Sequence, residues 1–160
     1  MDASRPVESA HGTTSSPFHS ILVAVDGSDH AFDAARVAAR LATALSARIT
    51  LMTAYDAPSD ALGEPNYSRA LGEALEAAQQ LLEDARRVTL NAGGPEPQVE
   101  WLAGDPAETI VETAKAGGYD LVVMGTLGRG RLSAVLLGSV SSAVAARAGR
   151  PVLIVGDVRA

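Results

Sequence analysis

The chain contains no cysteine. That excludes disulfide bridges, thiolate metal centres and a cysteine nucleophile. A cytoplasmic location is the expectation that follows. Positive charge is short: 13 Lys+Arg against 19 Asp+Glu leave a formal net charge of −6. General nucleic-acid and membrane-surface binders need a positive field, so neither partner is expected. One phosphate group needs only a local patch. Lysine is almost missing, since Lys115 is the only one and every other fixed cation is arginine. No apolar run reaches the ~18 residues of a bilayer span. The first residues lack a basic start followed by an apolar stretch, so no signal peptide is expected. The histidines, His11, His19 and His30, do not cluster, and no metal site built from protein side chains alone is expected.

What is present fits one globular domain of 160 residues, 47% hydrophobic and 20% charged. A domain of this size buries roughly two-thirds of its unfolded surface, so it needs no staple to fold. Residues 1–18 are rich in Ser, Thr and Pro and have no period. They read as a disordered tail ahead of a domain over 19–157.

Within that domain the apolar run Ser20–Val25 lacks alternation, as a strand covered on both faces does. Ser28 or Asp29 then caps a helix whose apolar side carries Phe32, Ala35, Ala39 and Ala42. A second strand spans Arg48–Tyr55, and residues 56–67 read as a loop. A long helix with the stripe Leu71, Leu75, Ala78, Leu82 and Ala85 ends at Asn91–Pro95. Gln98–Leu102 forms a third strand, on which Trp101 is expected in the core. Pro106 opens a short helix with Ile110, Val111 and Ala114 buried. Leu121–Met124 is the fourth strand, Ser139–Ala148 the last helix and Pro151–Val155 the last strand.

Strict alternation of strand and helix predicts an α/β fold: a five-stranded parallel sheet with helices on both faces. Right-handed crossovers leave few topologies, of which the order 3-2-1-4-5 is predicted. The sheet then reverses between strands 1 and 4. Ligands of such sheets bind beyond the carboxyl ends of the strands at the reversal. Asp26 stands at one of those ends and Gly125 at the other.

After strand 4 comes a glycine-rich segment with the spacing G-x2-G-x9-G-S, at Gly125, Gly128, Gly138 and Ser139. Glycines let backbone approach a ligand closely. Gly138-Ser139 opens the last helix, whose free amides and dipole favour an anion. Ser139 and Ser141 add hydroxyls, and Arg129 and Arg131 are candidate phosphate partners. No glycine here is followed by Lys-Ser or Lys-Thr, so this is not a P-loop; nor does G-x-G-x-x-G follow the first strand.

The block Ile21–Ser28, the segment from Val123 through Ser141, and Arg150–Val155 together resemble the universal stress protein family, over roughly residues 19–156. The resemblance implies an ATP-binding regulatory protein of the stress response, and it assigns roles. Ala24, Val25 and Asp26 would hold the adenosine part. Backbone groups around Ala54 would meet adenine, with Met124 beside the base. Gly125 and Gly128 would line the ribose and first phosphates, with Arg129 counted in the nucleotide site as a candidate phosphate partner, and Gly138, Ser139, Val140 and Ser141 would cradle the phosphates. Mg²⁺ would accompany the triphosphate. The last strand, with Val152, Leu153, Ile154 and Val155, would form a homodimer interface, since an exposed apolar edge otherwise invites uncontrolled pairing. A protein partner, not identifiable from the residues, would read the nucleotide state.

Two other ligands or activities stay open. Cyclic AMP would need fewer phosphate contacts. Slow ATP hydrolysis or autophosphorylation is the enzymatic alternative, but efficient turnover needs a placed base, and none is predicted near the phosphates. A phosphoacceptor receiver domain would need a lysine after strand 5, which the sequence lacks. A flavodoxin-like carrier usually needs aromatic or apolar shields in its loops, and aromatics are 4% here.

Overall fold

The structure, a computed structural model, describes residues 16–126 and 137–156. Five strands run β1 (Ser20–Ala24), β2 (Arg48–Tyr55), β3 (Gln98–Ala103), β4 (Leu121–Gly125) and β5 (Val152–Val155). Four helices connect them: α1 (Asp29–Leu45), α2 (Asn66–Asn91), α3 (Pro106–Ala116) and α4 (Ser139–Arg147). The sheet is parallel throughout, in the order β3-β2-β1-β4-β5, as predicted.

Side chains alternate across the sheet with period two, so the apolar strands feed two cores. Ile21, Val23, Leu51, Val123 and Val155 pack beneath α1 and α2. Leu22, Met52, Val122 and Met124 pack beneath α3 and α4. The buried face of α1 is made of alanines, from Ala31 to Ala42. Small side chains let that helix lie close on the sheet.

Two expectations are corrected. Trp101 is not core: it is 37% exposed, with Val99 and Leu102 similarly open. β3 is the sheet's edge, and α2 packs mainly against α1 and β2. The strand pattern of β3 is apolar without a partner to bury it. The tail expected over 1–18 is also too long at its end. Phe18 packs against the α1/α2 core, and Ser16 Oγ donates to the Phe18 carbonyl at 2.8 Å. Residues 1–15 and 157–160 lie outside the described residues. Within the expected loop 56–67, Asp60–Leu62 forms a single 3-10 turn and α2 begins at Asn66.

Candidate functional site

The carboxyl ends of β1 and β4 border a cleft of about 230 Å³. Every expected contact residue that lies among the described residues lines it: Ala24, Val25, Asp26, Ala54, Met124, Gly125, Gly138, Ser139, Val140 and Ser141. Gly128 and Arg129, with Arg131, lie outside the described residues. The cleft also takes Ser28, Ala31, Met52, Pro106, Ile110 and Thr126. Of these, Ser28 was read only as a cap. Met52 was legible, since it sits two residues before Ala54 and so shares its face. It also pairs in register with Ala24. Pro106 and Ile110 stand one helical turn apart, a placement that only the packing of α3 reveals.

The floor is apolar. Met52 is fully buried, and Met124 and Ile110 are 5% exposed. Above it, the backbone of β2 outruns β1. The Val25 amide donates to Met52 O at 2.9 Å, toward β1, and the Gly104 amide donates to Tyr55 O at 3.0 Å, toward β3. Alternation therefore turns the amide and carbonyl of Ala54 to the side where β1 has ended. They form a donor–acceptor pair beside the floor.

Asp26 occupies the rim after β1. Its Oδ1 accepts from the Ser28 amide at 3.0 Å and from Ser28 Oγ at 2.6 Å. Ser28 Oγ in turn accepts from the Ala31 amide at 3.2 Å. One serine thus caps α1 and fixes the carboxylate's orientation.

Three helix starts border the cleft. α1 is capped by Ser28, and α3 by Asp105, whose Oδ1 accepts from the Glu108 amide at 2.9 Å. The cap position of α4 is Gly138, which among the described residues makes no side-chain cap bond. The first residues of α4, with the positive end of its dipole, line the cleft.

Thr126 joins this rim to its surroundings. Its amide donates to Val155 O at 2.9 Å, and its carbonyl accepts from the Gly138 amide at 2.8 Å. Its Oγ1 lies 3.2 Å from His30 Nδ1. Ser141 is 2% exposed, and its hydroxyl lies 3.0 Å from both Thr126 O and Gly138 O. Far from the cleft, at the amino end of β4, burial pushes the Tyr119 phenol's pKa up, and the Glu100 carboxylate adds to the shift.

Residues 17–156 match the universal stress protein family. The chain belongs to that family. A universal stress protein of Thermus aquaticus is 44% identical over 138 residues, covering 86% of this chain and 98% of that one. The solved universal stress protein UspA of Lactobacillus plantarum is 28% identical with a TM-score of 0.76, covering 86% and 97%. A universal stress protein solved in complex with cAMP is 30% identical with a TM-score of 0.70, covering 88% and 98%. Gly125 and Gly138, the first and last glycines of the segment after β4 that the sequence singles out, both border the cleft. Among the described residues no three His, Asp or Glu side chains group as metal ligands. No helix of those residues is long and apolar enough to cross a membrane.

Proposed function

We propose that this universal stress protein is a cytoplasmic ATP-binding regulatory protein whose nucleotide state is read by a protein partner. One observation carries the reading: an apolar floor is joined, in a single cleft, to a helix start whose cap residue, Gly138, has no side chain of its own. The volume divides the ligand between them. Pockets that enclose a whole small molecule run from roughly 300 Å³ upward, and this one is about 230 Å³. That room suits a base and ribose over Met52, Met124 and Ile110. The phosphates then run outward over the start of α4, where Ser139 is exposed. The Ala54 amide and carbonyl match the donor–acceptor edge of adenine. Mg²⁺ would arrive on the triphosphate and be held by its oxygens.

The cAMP complex of a relative supports an adenine ring in this cleft and motivates a second reading, with a cyclic mononucleotide as the ligand. We propose binding rather than efficient turnover. Among the described residues, the α4 start offers Gly138, Ser139, Val140 and Ser141, which bring amides and the exposed Ser139 hydroxyl but no general base. Steady-state hydrolysis is expected below the ~1 s⁻¹ of working phosphotransferases.

The test is mass spectrometry of small molecules released when freshly purified native protein is denatured. ATP or ADP at near-stoichiometric amounts is the expected result, and cyclic AMP would select the second reading. An empty protein that also gains no thermal stability from added nucleotide would reject both.

We also propose a homodimer through β5. Among the described residues its outer edge carries no strand partner. Pro151 O and Val155 O accept from β4, so alternation turns the Ile154 amide outward. Val155 is buried in the chain's own core, whereas Val152, Leu153 and Ile154 are half-exposed. Ile154→Pro removes an outward donor and spares the bonds to β4, a placement that edge strands tolerate. Light scattering is expected to show dimer for the native chain and for Ile154→Val, and monomer for Ile154→Pro. A dimeric proline variant would reject edge pairing.

A further inference from the structure

We infer that Ser141 is a positioning residue, which ties the start of α4 to the end of β4 and does not donate to the ligand. The cleft reading above supplies only the ligand arm of its test. A serine hydroxyl has one proton. Here both acceptors within reach are backbone carbonyls, Thr126 O and Gly138 O, each at 3.0 Å. The Gly138 carbonyl is a bond within the first turn. The Thr126 carbonyl is fifteen residues away in sequence, at the far side of the glycine-rich segment.

A phosphate oxygen is an acceptor and needs that same proton. To supply it, the hydroxyl would leave both carbonyls from a side chain only 2% exposed. Thr126 O and Gly138 O would keep the Gly138 and Ser142 amides, but the side-chain link between α4 and β4 would be lost, so tether and ligand bond exclude each other for the one proton.

The tether has a defined anchor. Thr126 is held in the sheet by its amide bond to Val155 O, and its carbonyl receives both the Gly138 amide and the Ser141 hydroxyl. Two donors from one helical turn fix how α4 leaves β4. They set where Ser139 and Val140, which line the cleft, stand relative to the sheet. Ser141 thus acts on the phosphates through the helix start.

Ser141→Ala, Ser141→Thr and Ser141→Cys test this. Without nucleotide, amide hydrogen exchange at Gly138 is expected to rise about tenfold or more in the alanine variant, because its bond to Thr126 O loses its neighbour. AMP, ADP and ATP should each bind about tenfold more weakly, by a common factor, and adenosine within about twofold of native. Threonine should restore both readouts. The cysteine variant, close in size but a weak donor, should follow alanine and carries the test should alanine not fold. Unchanged Gly138 exchange, with weakening confined to ATP, would overturn the inference and make the hydroxyl a direct ligand. Equal weakening of adenosine would overturn it too, as a general loss of structure. If the native protein binds no nucleotide, the cleft reading fails alone, and exchange at Gly138 still decides the tether.

Discussion

Gly138→Val is expected to weaken ATP binding by about a hundredfold or more while the protein stays folded. The backbone permits the change. Gly138 has φ −62° and ψ 161°, a region open to any L-residue. As a cap, valine costs about 1 kcal/mol or less relative to glycine, which itself ranks only moderately; Gly138 is buried, so the melting temperature also reads any packing cost. The cost to binding is larger. An isopropyl group would stand at the rim where phosphate meets the first amides of α4. Hydrogen bonds to a charged group contribute about 1.5–3 kcal/mol each, so losing two of them gives the expected factor. Isothermal titration with ATP measures the affinity, and thermal melting by circular dichroism checks the fold. A folded variant with native affinity would remove the α4 start from the site. Gly138→Ala, with less bulk, should fall between the two.

The fold was legible because its signals are redundant. The strands are short runs of strand-forming residues, and each of the first four is followed by a helix. Any one misread boundary leaves the alternation, and hence the order 3-2-1-4-5, intact. Trp101 was not legible for a related reason. Apolar character marks a strand but not its place in the sheet, and the third strand ends at the edge, half uncovered. Phe18 was misassigned to the tail because the residues before it are polar, while its own contact is with a core assembled from distant segments.

The site was legible where it follows from chain order and illegible where it follows from packing. Asp26, Gly125 and Gly138 stand at the ends of β1, β4 and the segment that opens α4, so topology alone brings them together. Ile110 and Pro106 enter only because α3 lies over that end of the sheet. The role of a hydroxyl is harder still. Ser139 and Ser141 look alike in sequence, yet one is exposed at the rim and the other is buried against two carbonyls. Position along a helix of 3.6 residues per turn decides that difference, and the start of the helix has to be known to within one residue.

Gly125 shows the same limit in its most testable form. Its place in the cleft suggests that glycine is needed for the ligand, and the structure supplies an independent reason. A Cβ at Gly125 would lie 2.8 Å from the carbonyl carbon and from the Cβ of His30, and 3.0 Å from the Ala31 amide nitrogen. Two of those three atoms are backbone in the first turn of α1, which Ser28 holds in place, so they cannot swing aside as a flexible side chain would. Gly125→Ala should therefore destabilise the protein without nucleotide, by about 1–3 kcal/mol as overpacking does. For a domain of this size that lowers the melting temperature by roughly 4–10 °C. Gly156→Ala is the matched control, because a Cβ there meets Thr126 Cγ2 at an ordinary 3.7 Å; its melting temperature should stay within about 2 °C of native. Differential scanning calorimetry of nucleotide-free protein measures both. A native-like melting temperature for Gly125→Ala would mean that β4 and α1 are not in close approach, and that the glycine serves the ligand alone. The expected drop would mean that this glycine sets the fit of α1 against β4, and with it the position of Ser28 and Asp26 at the rim.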